Sequence, residues 1–427
     1  MPPFLISLAA SDGSGRRAVY DPWVSRLTWE DGAPVSLAAV GRDHVQEQDK
    51  GDGQCWPEGK AQAIRRLKIQ LGLGCNQACA YCLQRFQPAA QAPGPADVAS
   101  FLDGLPRWFD GGEDGLGQGV RIEFWGGEPF LYWRVLRPLG DALKAAYPNA
   151  VFSIVTNGTL LDGEKIDWLE RMGALVGISH DGPGQNLRGS DPFDDPKQRH
   201  HLLDLYDRLA LKGRLSFNNV LSKDNHDLGL IRDWFKERLE GRDPALTVEG
   251  IVIPHHMEDG SCSPQSQGVF IRSILRAVIS RDALAFTSVR WKLNGFFDSL
   301  AHRRPASALG QKCSMERRDH IAVDLKGFVL TCQNVSALGT APNGRSHCLG
   351  SVTDLDRVRL TSARHWSQRP ECVACPVLQF CQGSCMFLEG AERAQACANE
   401  FSWNMGLLAG GLYLLTGLVP VHIEPLA

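Results

Sequence analysis

From Leu67 to about Leu300, short apolar runs alternate with longer amphipathic stretches, and this alternation restricts the fold more than any other feature of the chain. Parallel strands cannot be joined by a tight turn, so such a pattern is that of strands linked by crossover helices. Strands are predicted at 67–71, 120–124, 150–155, 174–178, 214–221 and 247–253. Helices are predicted around 97–109, 131–146, 163–171, 197–211, 227–239 and 267–284. Six such units make an α/β fold, a partial (β/α)6 TIM-type barrel, with a cysteine-rich domain following it. The expected boundaries are an N-terminal extension over 1–60, the barrel over 61–300, the cysteine-rich domain over 301–400 and a C-terminal helix or tail over 401–427.

In barrels of this kind chemistry gathers where the strands end. The unusual motifs of this sequence lie at those ends: GCNQACAYC after the first strand, WGGEP after the second, TNGT after the third and SHDGPG after the fourth. His180, His255 and His256 fall on the same rim, where an imidazole titrating near neutrality suits proton transfer. His180 is the catalytic candidate among them.

Thirteen cysteines need an explanation other than disulfides in a chain expected to be cytoplasmic. Cys55 and Cys262 stand alone, three thiols cluster at Cys75, Cys79 and Cys82, and eight fall between 313 and 397. The first cluster is C-x3-C-x2-C in a loop with Gly72 and Gly74. Three thiolates suit an iron–sulfur cubane with one iron left open, whereas a structural zinc site takes four ligands. The later array runs Cys313, Gly327, Cys332, then Cys372, Cys375, Cys381, Cys385 and Cys397.

With Tyr81 before the third cysteine, the first loop resembles the signature of the radical-SAM superfamily over about residues 61–300. The resemblance implies that Cys75, Cys79 and Cys82 hold a [4Fe–4S] cluster that binds and reductively cleaves S-adenosylmethionine. Gly126, Gly127, Glu128 and Pro129 look like that family's GGEP motif, which contacts the amino group of the cofactor. Asn157, within Thr156-Asn157-Gly158, and the pair Ser179 and Asp181 resemble its ribose-side segments, and Arg188 is assigned to the cofactor carboxylate. The later array is similar to a SPASM module, which carries two auxiliary [4Fe–4S] clusters. By that resemblance Cys372, Cys375, Cys381 and Cys397 hold the far cluster, and Cys313, Cys332 and Cys385 the nearer one. Sulfatase maturases have a further cysteine where this chain has Ser307, so Cys348 is the expected fourth ligand; the alternative is an open iron.

SPASM-type relatives modify peptides or proteins, and the expectation is a radical enzyme acting at an unactivated C–H position of a ribosomally made peptide, by oxidative cross-linking or cyclisation. A dehydrogenase or epimerase acting on a small molecule or peptide is the alternative, and a non-catalytic Fe–S electron carrier a more distant one. The formylglycine reaction of the maturases is disfavoured. Their catalytic Asp follows the cysteine matching Cys332, and here that catalytic position is Gln333, which cannot act as a base.

Composition narrows the partners. A net charge of −3 provides no field for nucleic acid or an anionic membrane, and the Gly- and Pro-broken apolar run Met405–Val421 reads as a packed helix rather than a span. The expected partners are the peptide substrate and a one-electron reductant such as flavodoxin or ferredoxin.

Overall fold

The computed structural model describes residues 3–38, 59–60, 63–255, 257 and 260–426; Cys55 and His256 lie outside the described residues. Three strands open the chain, β1 (Phe4–Ala9), β2 (Gly15–Asp21) and β3 (Arg26–Trp29). The barrel strands are β4 (Arg66–Gln70), β5 (Arg121–Trp125), β6 (Val151–Thr156), β7 (Leu175–Ser179), β8 (Leu215–Leu221) and β9 (Leu246–Ile251). Between and after them lie α1 (Pro95–Gly104), α2 (Trp133–Ala146), α3 (Gly163–Met172), α4 (Pro196–Leu209), α5 (Leu228–Arg238), α6 (Pro264–Ile279) and α7 (Thr287–Ala301).

Local chemistry sets the helix starts. Asp162, Asp195, Asp227 and Ser263 each accept from a backbone N–H of the first turn, and Pro196 and Pro264 open α4 and α6 where no N–H partner is needed. Strand β8 alternates buried and half-buried residues along its whole length, one face toward the helices and one toward the barrel interior.

The cysteine-rich region adds β10 (His320–Asp324), β11 (Phe328–Leu330) and β12 (Cys348–Ser351). The sheet order is β12-β11-β10-β4-β5-β6-β7-β8-β9. Strand β10 lies parallel to β4, with Ala322 opposite Lys68, while β11 and β12 are antiparallel. The partial TIM-type barrel is therefore present, but its parallel sheet gains a seventh strand from beyond residue 300. The free edge of β4 is paired rather than left open.

Two single helical turns, α8 (Pro370–Val373) and α9 (Leu378–Cys381), precede the long helix α10 (Gly390–Thr416) and the last strand β13 (Val419–Pro425). The apolar, glycine-bearing run is the second half of α10. A Cβ on Gly406 would stand 2.6 Å from the Cβ of Ile274, and one on Gly410 would stand 2.8 Å from that of Val278, so the glycines let α10 close onto α6. No helix among the described residues is long and apolar enough to cross a membrane. Strand β13 pairs antiparallel with β1, giving the separate sheet β13-β1-β2-β3 that joins the two ends of the chain.

Two buried histidines in the cysteine-rich region, His347 and His365, are each pushed down to about 4 by burial. They are neutral when folded, while the unfolded chain takes up a proton near the ordinary value of about 6.5. Stability is then full above that value and declines as pH falls toward 4, by about 1.4 kcal/mol per pH unit for each histidine. The thermal midpoint should drop on that limb and drop less in His347→Gln; a flat midpoint from neutral to mildly acidic pH would refute this.

Candidate active site

The ends of the parallel strands surround one cavity of about 540 Å³. The loop after β4 carries Cys75, Cys79 and Cys82, and all three thiols stand on its wall. Two glycine pairs make the loop possible. Gly127 N–H donates to the Gly72 carbonyl and Glu128 N–H to the Gly74 carbonyl, both at 2.9 Å. A Cβ on Gly127 would lie 2.1 Å from the Gly74 oxygen, and Gly72 and Gly126 both adopt positive φ. Gly127→Ala should therefore push the cysteine loop off the second strand's end and lower iron retention at the triad several-fold, read as iron per chain after anaerobic reconstitution. Retention equal to wild type would show that the loop does not need this contact.

Glu128 does not reach the cavity. Its carboxylate is fully buried and accepts from Phe130 N–H at 3.0 Å, Thr156 Oγ1 at 2.7 Å and Asn157 N–H at 2.7 Å. Burial raises its pKa against those three donors. The expectation that Glu128 takes a ligand ammonium is corrected accordingly. Its oxygens fasten the end of β5 to the end of β6, and Pro129 behind it is also buried, while Gly126 and Gly127 do line the cavity.

Asn157, Ser179, Tyr81 and Arg188 line the cavity as well. Asn157 Nδ2 lies 3.7 Å from Cys75 Sγ and 2.9 Å from Asn76 Oδ1. Asp181 lies behind the wall and organises it. Its carboxylate accepts from the Tyr81 hydroxyl at 2.5 Å and from Val220 N–H at 2.8 Å, and it pairs with Arg188 Nε at 3.0 Å. The Arg188 guanidinium sits 5.5 Å from the centre of the Tyr81 ring. Burial opposes the Arg188 charge, but Asp181, Tyr81 and Cys79 outweigh it and hold the group protonated.

The catalytic candidates fare differently. His180 is fully buried, with its ring among Phe193, Trp234 and Phe235. Gly182 N–H donates to its Nδ1 at 3.0 Å, which assigns the proton to Nε2, facing Asp191 at 2.9 Å. Burial lowers its pKa, and both nitrogens are committed, so His180 is a packing residue and not a proton carrier for the cavity. Gln333 does stand on the wall, its Oε1 3.3 Å from Lys68 Nζ, and offers no basic group. His255 is buried beside the same cavity.

Glu249 is the residue that sequence reasoning missed. On β9 the register against β8 slips between Asn219 and Val220, which pair with Val248 and Gly250, so Glu249 is the bulged residue. A bulge re-aims a side chain, and this one places a carboxylate on the cavity wall. No hydrogen bond or ion pair holds it among the described residues; its side chain is open to the cavity, and desolvation by the surrounding walls, with Asp181, raises its pKa, while Arg188, Lys68 and Lys312 act in the other direction. The TVEGIVI run contained one acid in a mainly apolar strand, which was the available signal, though not its direction.

The cysteine-rich region supplies a further part of the wall. Cys313, Cys332 and Cys385 line the cavity that holds the first three thiols. Gln70 Nε2 donates to the Gln333 carbonyl at 2.7 Å and Trp125 Nε1 to Asn334 Oδ1 at 2.7 Å, which ties the Cys332 loop to the ends of β4 and β5. Cys372, Cys375, Cys381 and Cys397 surround a second, small cavity with Arg393, whose guanidinium donates to Cys372 Sγ at 3.0 Å. Cys348 joins neither set: its thiol turns to the Gly350 carbonyl at 3.7 Å, which corrects the expectation of a fourth ligand. Cys262 is buried, and its N–H donates to Asn399 Oδ1.

The donor chemistry of the three sets fits iron–sulfur clusters. All the described cysteines are free thiols, and burial pushes Cys79 up to about 11 and Cys313, Cys332 and Cys375 up to about 12. Thiols so raised are inert as nucleophiles and become thiolates only against strong positive charge such as iron supplies.

Comparison with known proteins places this arrangement. The radical SAM superfamily profile matches residues 69–213. The chain is 23% identical over 178 residues to the radical SAM cyclopropyl synthase TigE of Paramaledivibacter caminithermalis, covering 38% of this chain and 37% of that protein. It is 23% identical over 195 residues to an S-adenosylmethionine-dependent nucleotide dehydratase of Psychrobacter lutiphocae, covering 43% of this chain and 64% of that protein. The matches thus span less than two thirds of the length of these relatives. Among solved structures, anSMEcpe with bound AdoMet superposes with a TM-score of 0.57 at 19% identity, over 82% of this chain and 98% of that one. That likeness is one of fold. With the barrel, the thiol loop at its rim and the profile match together, residues 69–213 of the chain form a radical SAM domain.

Proposed function

We propose that this enzyme modifies a ribosomally made peptide or protein at an unactivated C–H position, forming a new bond with net loss of two hydrogens. The observation that carries the reading is one cavity lined both by Cys75, Cys79 and Cys82 and by Cys313, Cys332 and Cys385. When bound, S-adenosylmethionine and the first cluster supply a 5′-deoxyadenosyl radical, and SPASM-type clusters in the other two sets supply an electron acceptor. An external one-electron reductant of the flavodoxin or ferredoxin type completes the supply.

The chain's own residues do the rest. Arg188, held by Asp181, offers a fixed guanidinium to a carboxylate, and Asn157 and Ser179 offer polar contacts beside it. Glu249 takes the proton released when the new bond forms, a role Gln333 cannot fill. Support for a peptide comes also from anSMEcpe, whose fold this chain shares and which has been solved with bound AdoMet and a Cp18Cys peptide.

The test is co-expression with short peptides encoded beside the gene, followed by mass spectrometry. A peptide lighter by two hydrogen atoms supports the reading. Peptides of unchanged mass, in cells where 5′-deoxyadenosine is formed, overturn it.

A further inference from the structure

Beside the two thiol sets of the cysteine-rich region runs a partly buried network of charges centred on Glu400. Lys312, next to Cys313, pairs through Nζ with Glu400 of α10. Glu400 is 2% exposed and also accepts from Asn404 Nδ2 at 3.1 Å. Asn404 Oδ1 in turn accepts from Lys292 Nζ at 3.1 Å, and the same ammonium donates at 2.6 Å to the carbonyl of Phe380, the neighbour of Cys381. Lys312 and Glu400 stand on the wall that carries Cys313, Cys332 and Cys385, whereas Cys381 belongs to the second cavity. Burial lowers the Lys292 ammonium to about 8, which leaves it charged at neutral pH.

Within the triad two ammoniums face one carboxylate, and Glu249 on the same cavity wall also faces Lys312. An uncompensated ammonium in a protein interior is unfavourable unless negative charge stands near it. Here that negative charge is the two groups of thiolates, and it grows when a cluster takes up an electron. A fixed cation at short range in a medium of low polarisability favours the reduced state of whatever redox centre it faces.

We propose that Lys312, Glu400 and Lys292 form a charge triad that sets the reduction potentials of both auxiliary clusters together. This rests on reading Cys313, Cys332, Cys385 and Cys372, Cys375, Cys381, Cys397 as the ligands of two such clusters. The triad faces thiols of both sets, Cys381 of the far one and Cys385 of the nearer one, so its charge shifts both centres in the same direction. Arg393 touches the far set alone, through Cys372. The three residues are positioning residues: they alter the centres and touch no substrate.

The experiment is a potentiometric titration followed by electron paramagnetic resonance on the full chain, reconstituted anaerobically with iron and sulfide. Lys312→Met removes a positive charge and should move both auxiliary potentials to more negative values. Glu400→Gln removes the negative one and should move both to more positive values. The cluster at Cys75, Cys79 and Cys82 should stay in place in both, Lys312→Arg should restore the wild-type values, and Arg393→Leu should move one auxiliary centre only.

A purely structural role would shift Lys312→Met and Glu400→Gln in the same direction or release iron from both, and either result overturns the proposal, as does an absence of shift at full iron content. The wild-type iron count checks the underlying reading separately. About twelve irons per chain agree with three clusters. About four would remove the auxiliary clusters themselves, and the triad's role with them.

Discussion

Cys79→Ala is expected to abolish formation of 5′-deoxyadenosine from S-adenosylmethionine and dithionite, a fall of at least about 10³-fold, equivalent to roughly 4 kcal/mol of barrel-rim chemistry. The loop itself should persist, because its backbone is held independently of the thiol. Ala80 N–H donates to the Leu187 carbonyl at 2.7 Å, Tyr81 is tied to Asp181, and Gly74 N–H donates to the Tyr132 hydroxyl at 2.8 Å. What disappears is one of three ligands, and with only three available no protein ligand replaces it. Iron per chain should therefore fall by about one cluster, and on the proposed reading the sets in the cysteine-rich region keep theirs. Turnover above a tenth of wild type would show that the triad is not the radical-generating site.

Glu249→Gln carries the second large effect. Radical generation should continue, since the carboxylate is not among the thiol ligands, but modified peptide should fall by about 10² to 10⁴ as the proton acceptor is lost. A separation of the two readouts is the signature: 5′-deoxyadenosine still formed, product absent. The pH dependence follows from the raised pKa of Glu249, whose first cause is desolvation by the cavity walls. A base works deprotonated, so product formation should rise with pH through a limb above the ordinary carboxylate range, and Glu249→Asp should keep that limb at reduced rate. Equal losses of 5′-deoxyadenosine and product would instead place Glu249 in cofactor binding.

His180 illustrates how sequence reasoning misplaces a catalytic residue. SHDG at a strand end had the composition of a proton-transfer site. The ring's direction depends on Phe193, Trp234 and Phe235, which come from two other segments of the chain, and on Asp191, which takes its Nε2 proton. Glu249 is the converse. A bulge in the pairing of β8 with β9 turns it inward, and a bulge is a property of two strands together, invisible in either one.

The barrel strands and their helices were legible because hydrophobic periodicity is local: each strand and helix buries one face whatever its neighbours are. The spacing of the first triad was legible for the same reason, since Cys75, Cys79 and Cys82 lie within one short loop. The assembly of the two arrays was not. That β10 pairs with β4, that Cys332 and Cys385 line the same cavity as Cys75, and that β13 returns to β1, depend on residues hundreds of positions apart.

The sequence alone thus offered the candidate thiols and placed the first three of them at the end of a barrel strand. Tertiary structure decided the remainder. It buried Glu128 and His180, turned Cys348 away, exposed Glu249 to the cavity and set Lys312 facing thiols of both later sets. The physical reason is that ligand identity and spacing are covalent properties of the chain, whereas burial, ion pairing and the direction of a side chain depend on which distant segments close around it.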